Sequence, residues 1–266
     1  MLIAVAAIVV VAVVVLSLLL TGVIPGLGTS SSSKGYTGAG LPYSAARPLA
    51  DAVAEGAPGG PWTWAGAAAV DVNAVVSNEI ALIELGPLAG SGIHYLTSAR
   101  PEVPVFNGSL ASGLSPWWFF EYTNGTTNAR DETNLLAVVV VNGTATALAT
   151  FASPARTGVP PYSPSGAPAM DSPAAMAVAV TSNSSYINAH PRLNVTFGPT
   201  YRNATGFEVG WFWDAYFSTC APFGQMFGAG ATQFNGTFYG AEVNDTSGAL
   251  VSGSGEPQQM TCSSWG

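Results

Sequence analysis

The sequence predicts a long apolar N-terminal α-helix followed by an all-β head, an Ig-like or related β-sandwich with the option of two subdomains. Three observations lead to this fold class. The first 24 residues carry no charged side chain, a Gly/Ser-rich stretch follows them, and short apolar runs separated by Gly, Pro, Asn and Ser turns fill the remainder. We therefore divide the chain into an assembly or anchor helix (1–24), a neck (25–44) and a head (45–266).

The N-terminal segment Met1–Ile24 is apolar except for Ser17, Thr21 and Gly22, and no charged side chain occurs before Lys34. As a helix it is about 36 Å long, which exceeds the roughly 30 Å of a bilayer's hydrocarbon core. Because it is apolar on every side, it must be buried in a membrane or in a bundle of helices. The side chains expected to make these contacts are Leu2, Ile3, Val5, Ile8, Val9, Val13, Leu16 and Leu20.

The residues around this helix indicate how it is processed and connected. Secretory signals and signal anchors normally begin with positive charge, whereas here only the terminal amine is positive. Either the start is atypical, or a basic leader has been removed ahead of the apolar run, which would leave the helix on the mature protein. Pro25, Gly26 and Gly28 then end the helix, and the Ser-rich run 29–33 predicts a flexible neck.

Strand-like runs recur along the head. The clearest pair is joined by Asn142-Gly143, a dipeptide typical of type I′ hairpin turns. The proline-rich segment 153–173 predicts a loop and a boundary between subdomains. Candidate strands lie near Trp62–Val76, Ala81–Leu85, Trp117–Tyr122, Leu135–Val141, Thr144–Phe151, Ala174–Thr181, Leu193–Phe197, Phe207–Phe217 and Gln233–Val243.

Aromatic residues are concentrated in these strands. Alternate residues of a strand share one face, and we expect one such set to lie in the core. Adjacent aromatics such as Trp117 and Trp118 point to opposite faces, so a second layer or a second subunit must cover one of them. Binding of sugars by these rings is the alternative to core packing. The set expected to share a core face is Phe207, Val209, Trp211, Trp213 and Phe217.

The composition argues against nucleic acid and for glycosylation. Of 266 residues, 48% are hydrophobic and only 8% are charged, and the net charge is −8, whereas about 25% charged residues is usual. Lys34 is the only lysine and the arginines are scattered, so no basic cluster can bind a phosphate backbone. N-linked sugar is the expected substitute for surface charge, with simple turns on exposed loops as the alternative. The eight acceptor sequons are at Asn107, Asn124, Asn142, Asn183, Asn194, Asn203, Asn235 and Asn244.

Cys220 and Cys262 are the two cysteines of the chain. An even number of cysteines in a chain with an export-type N-terminus favours a disulfide, and two unpaired buried thiols are the alternative. In the chain-entropy model a bond between them would stabilise the fold by roughly 4 kcal/mol.

Residues that could carry catalysis or bind metal form no recognisable pattern. His94 and His190 are the two histidines, and neither lies in a catalytic signature. Asp245-Thr-Ser-Gly248 resembles the Asp-Thr/Ser-Gly loop of aspartic proteases but contains an inserted residue. Asp131-Glu132 is interpreted as a solvated loop rather than a cation site. We therefore predict no enzyme activity, no cofactor and no metal, and only covalent glycans.

The apolar helix without a basic leader, the Gly/Ser neck and the β-rich, sequon-rich, lysine-poor head together resemble archaeal type IV pilins and archaellins. The resemblance implies that Met1–Ile24 assemble into a filament core and that Ig-like heads form a glycosylated outer sheath. Val5 stands where bacterial pilins tend to carry glutamate, which fits the archaeal branch. Small residues such as Ala4 and Ala12 permit close packing of helices.

The expected function is that of a structural subunit of an extracellular archaeal filament, in adhesion or motility. The subunit would form a homopolymer through its N-terminal helix after transient insertion into a membrane. The alternative is a single-pass surface or envelope glycoprotein whose head binds a ligand, and an anchored hydrolase is a third hypothesis.

Overall fold

The computed structural model describes residues 40–71, 94–95, 112–127, 132–154, 166–190, 193–202, 209–219, 232–253 and 256–264. The assembly helix 1–24 and most of the neck lie outside these residues. None of the helices within the described ranges is both long enough and apolar enough to span a membrane. The helices are α1 (Tyr43–Gly56), α2 (Ser172–Ser182) and α3 (Ser184–Ala189). The strands are β1 (Thr63–Asp71), β2 (His94–Tyr95), β3 (Trp117–Thr127), β4 (Glu132–Val141), β5 (Thr144–Pro154), β6 (Asn194–Arg202), β7 (Gly210–Ser218), β8 (Thr232–Asn244), β9 (Leu250–Gly253) and β10 (Gln258–Ser264).

The strands form one antiparallel sheet in the order β10-β8-β7-β6-β1-β3-β4-β5-β2, and β9 pairs with β8 beside β10. The prediction of a β-rich head is therefore confirmed. An Ig-like sandwich consists of two sheets, whereas every strand that the structure describes belongs to this single sheet. The Asn142-Gly143 hairpin is also confirmed, with Val141 opposite Thr144 and φ values of 51° and 78° in the turn.

The helices correct two sequence predictions. The head was expected to be β-rich from residue 45, but α1 begins at Tyr43, so structured chain extends into the predicted neck. The predicted strand Ala174–Thr181 is wrong, because these residues lie in α2. Their alternation of small and larger apolar residues imitated a strand. Alanine favours the helix, and the Asp171 carboxylate caps it by accepting from the Ser172 N–H at 2.8 Å.

The sheet consists of two halves, and in each a helix that precedes the first strand packs on an antiparallel meander. In the first half α1 packs on β3, β4 and β5, and in the second half α2 packs on β7, β8 and β9. The helices bury alanines at the same spacing, Ala46 and Ala50 in α1 and Ala175 and Ala179 in α2. The first strands, β1 and β6, pair with each other and join the halves. The strands on either side of the proline-rich segment 153–173 therefore share one sheet.

The helix-covered face of the sheet holds a core rich in aromatic rings. Trp118 and Trp213 are completely buried there, and the ring of Phe197 stacks on Trp213 with 5.0 Å between centroids. Trp117, on the opposite face of β3, is only 4% exposed, so the prediction that both faces of this strand are covered is confirmed. Of the set expected to share one core face, Trp211, Trp213 and Phe217 are buried. The prediction is wrong for Val209, which is 58% exposed. Phe207 lies outside the described residues.

Candidate functional site

The chain enters the head at Gly40 and Leu41, and the backbone there is held by the segment that leads into β3. Leu41 forms an isolated antiparallel bridge with Ser115: its N–H donates to the Ser115 carbonyl at 2.7 Å, and its carbonyl accepts from the Ser115 N–H at 3.0 Å. The same Leu41 carbonyl accepts from Nε1 of the buried Trp118 at 2.9 Å. Three hydrogen bonds therefore hold one residue. We call Gly40–Ser44 and the groups that hold them the junction.

Gly40 packs directly against the backbone that immediately precedes β3. A Cβ atom on Gly40 would lie 2.5 Å from the Ser115 carbonyl carbon and 2.8 Å from the Pro116 nitrogen. Real Cβ atoms do not approach backbone atoms so closely, and the backbone of the buried Ser115 cannot move aside at low cost. The bridge between Leu41 and Ser115 therefore requires glycine at position 40.

Tyr43 and Ser44 connect the N-terminus of α1 to that of α2. The Tyr43 N–H donates to Oγ of the buried Ser172 at 2.8 Å. The Asp171 carboxylate accepts from the Ser44 N–H at 2.9 Å and from the Ser44 hydroxyl at 2.6 Å. Asp171 therefore caps the first turn of both α1 and α2, where a negative charge is favoured by the helix dipole. The two halves of the head are joined here as well as at the pairing of β1 and β6.

The Tyr43 ring fills the space between α1 and the sheet. It lies edge-on to Trp213, with 5.4 Å between centroids and an interplanar angle of 88°, and edge-on to Trp118 at 5.8 Å. Edge-to-face pairs of this kind are worth about 0.5–1.5 kcal/mol beyond burial alone. Because Trp118 belongs to β3 and Trp213 to β7, the junction rests on strands from both halves of the sheet.

A polar chain crosses from α1 to the sheet beside this ring. The Arg47 guanidinium donates to the Tyr43 hydroxyl at 3.0 Å, lies 3.4 Å from the Asp51 carboxylate and stands 4.2 Å above the ring of Trp64. The Tyr122 hydroxyl donates to the Asp51 carboxylate at 2.7 Å. Burial raises the pKa of both tyrosines well above the usual value, and the hydrogen bond to Asp51 raises that of Tyr122 further.

These two tyrosines predict a loss of stability in alkali. In the unfolded chain they lose their protons near pH 10, whereas in the folded protein their raised pKa values keep them protonated. The stability they contribute is complete below about pH 10 and is lost as the pH rises above it, by up to about 1.4 kcal/mol per pH unit for each phenol. Urea unfolding between pH 8 and pH 11.5 measures this slope. Tyr122→Phe removes one of the two phenols and should therefore make the slope shallower by up to about 1.4 kcal/mol per pH unit. An unchanged slope would contradict a raised pKa for Tyr122.

In the second half of the sheet, the segment before the helix is held by a side chain instead of by a backbone bridge. The buried Asp245 carboxylate accepts from the N–H groups of Ala169 and Met170, at 2.6 and 2.9 Å, and from Nε1 of Trp213 at 3.0 Å. Asp245, the first residue of the segment that resembles an aspartic-protease loop, thus holds the segment before α2. The hydrogen bond from Trp213 to Asp245 corresponds to the one from Trp118 to the Leu41 carbonyl in the first half.

The predicted glycosylation sites lie in different environments. Asn142 is exposed at the tip of the β4–β5 hairpin, and Asn235 is exposed on β8. Asn183 caps α3 by accepting from the Tyr186 N–H at 3.1 Å. The expectation of exposed loops is wrong for Asn244, which is 8% exposed. It is also wrong for the three asparagines that lie within strands, Asn124 in β3, Asn194 in β6 and Asn235 in β8. Asn124 donates to the Gly59 carbonyl, and Asn107 and Asn203 lie outside the described residues.

The other predicted site residues lie in separate elements of the fold or outside the described residues. Cys262 lies in β10 opposite Phe234, whereas Cys220 lies outside the described residues. His94 lies in β2, and His190 Nδ1 is 2.7 Å from the Tyr186 carbonyl oxygen. Glu132 begins β4, and Asp131 is not described. All residues assigned to the assembly helix, from Leu2 to Leu20, are outside as well. In the described ranges, no group of three or more His, Cys, Asp or Glu side chains is placed to hold a metal ion.

Comparison of the chain with protein-family models, curated proteins and solved structures found no match. The candidate site therefore stands on its geometry. Sequence reasoning missed it, because Gly40, Leu41 and Ser115 belong to no motif and meet only in the fold. One available signal was Asp171-Ser172-Pro173, in which a capping residue precedes proline in the first helical turn, as at many helix N-termini.

Proposed function

We propose that this chain is a structural subunit of an extracellular archaeal type IV pilus-like filament, polymerising through Met1–Ile24. The observation that carries the proposal is the combination of that uncharged apolar segment with a head whose first described residues form the junction. A subunit that polymerises through one end must transmit force from that end to its head. Three hydrogen bonds to Leu41 and two to the Asp171 carboxylate serve this task.

The junction also suits the task through its position. Leu41 is held by the chain leading into β3, which lies near the middle of the sheet rather than at an edge. Force applied through the neck is therefore shared by β3 and its neighbours β1 and β4, while Asp171 passes part of it to the second half. An assembly role in adhesion or motility needs no catalytic group at this site.

The test is a charge placed in the middle of the apolar segment of the full-length chain. Val13→Asp costs about 2.5–3.5 kcal/mol for insertion into a bilayer centre, and the carboxylate would repeat in every subunit of a helix bundle. We expect electron microscopy to show filaments with the natural chain and with the matched control Val13→Leu, but none with Val13→Asp. A natural chain that stays a bilayer-embedded monomer without fibres would favour the single-pass surface glycoprotein instead.

A further inference from the structure

Two of the sequons lie in opposite structural environments. Asn142 occupies the first position of a two-residue turn, with its side chain exposed. Its φ of 51° is in the left-handed region, which asparagine tolerates better than most residues. The backbone of Asn142 is fixed by the turn and by its N–H, which donates to the Pro116 carbonyl at 2.9 Å. None of the hydrogen bonds described for this turn uses the Asn142 side-chain amide.

Asn244 has a structural task that uses its side chain. Its Oδ1 accepts from the N–H groups of Thr246 and Ser247, at 3.0 and 2.8 Å, and so closes the turn after β8. Its backbone N–H and carbonyl bond to Ala249 and Gly248 in the same turn. Because only 8% of the residue is exposed, the folded turn leaves little room for a sugar on Asn244. Opening the turn to make room would disturb Asp245, which holds the segment before α2.

We propose that Asn142 is an N-glycan acceptor and that Asn244 is an unmodified turn-capping residue. In the transfer, the Asn142 amide nitrogen forms a bond to the anomeric carbon of a glycosyl phosphate donor. The bond from that carbon to the phosphate oxygen breaks, phosphate leaves, and one amide proton passes to a base, with no oxidation or reduction. The proposal does not depend on polymerisation and applies equally to a surface glycoprotein.

The position of Asn142 gives its glycan a defined location. Pro116, which holds the Asn142 backbone, directly follows Ser115, which holds Leu41. A glycan on Asn142 therefore stands beside the junction, at the place where the neck joins the head. There a hydrated oligosaccharide would cover the exposed hairpin tip, in a chain of which only 8% of the residues are charged.

The test combines glycopeptide mass spectrometry with three substitutions in the full-length chain, made in a host that N-glycosylates. Thr144→Ala and Thr246→Ala each destroy a sequon but leave its asparagine in place. Asn244→Ala removes both the sequon and the cap. We expect glycan on the peptide containing Asn142, and none on the peptide containing Asn244. Thr144→Ala should remove the mass of one glycan.

The other two variants separate the cap from the sequon. Thr246→Ala should leave both the glycan mass and Tm unchanged, whereas Asn244→Ala should leave the glycan mass unchanged but lower Tm by about 2–4 °C, as expected for a lost cap. An unmodified Asn142, a glycan on Asn244, or equal Tm values for Asn244→Ala and Thr246→Ala would each overturn the proposal.

Discussion

Replacing Gly40 with alanine should lower the free energy of unfolding of the head by about 1–3 kcal/mol, the usual cost of adding atoms to a packed site. The new Cβ would lie 2.5 and 2.6 Å from backbone atoms of Ser115. Relief of this clash requires the Leu41–Ser115 bridge to separate, and with it the bond from Trp118 to the Leu41 carbonyl. Gly40 does not have a positive φ, so the effect is steric rather than conformational. Urea unfolding followed by tryptophan fluorescence measures it.

Gly56→Ala is the matched control for this substitution. Gly56 ends α1, and a Cβ atom there would meet nothing within 4 Å. Alanine is favoured over glycine in helices by up to about 1 kcal/mol, so the control should be neutral or slightly stabilising. Equal loss of stability in the two variants would show that Gly40 is not constrained by the contact with Ser115. If the filament proposal is correct, Gly40→Ala should also weaken filaments, because the neck then pulls on an opened bridge.

Asp245→Ala should cost about 3–5 kcal/mol, because it leaves buried donors without the charged acceptor that satisfies them. The carboxylate accepts from Ala169, Met170 and Trp213. Without it, the segment before α2 loses its attachment to β7, and α2 should become the first element to exchange its amide protons. Thermal unfolding and hydrogen exchange measure the two effects.

Two further variants make the Asp245 prediction specific. Asp245→Asn keeps one carbonyl oxygen and the side-chain shape, so it should lose roughly half as much stability as alanine. Thr246→Ala changes the exposed neighbouring residue and should stay within about 0.5 kcal/mol of the natural chain. A loss for Asp245→Ala no larger than that for Thr246→Ala would show that the carboxylate does not support α2.

The sequence determined the strands whose signal is local. The run of β4, the Asn142-Gly143 turn and β5 appear where predicted, because two short runs of strand-forming residues joined by a pair that tolerates positive φ restrict the chain without distant partners. Paired aromatics such as Trp117 and Trp118 also indicated correctly that both faces are covered. The expectation from composition that nucleic acid is not a partner stays a prediction.

Only the tertiary structure decided the features that depend on distant neighbours. α2 was read as a strand because small residues suit either period, and its helical form depends on the Asp171 cap and on the surface offered by β7 and β8. Asn244 and Asn142 share one sequence motif, yet one is buried and the other exposed. The junction joins Leu41 to Ser115 and Ser44 to Asp171, residues far apart in the chain. Such contacts arise from the order of strands in the sheet, which no local pattern specifies.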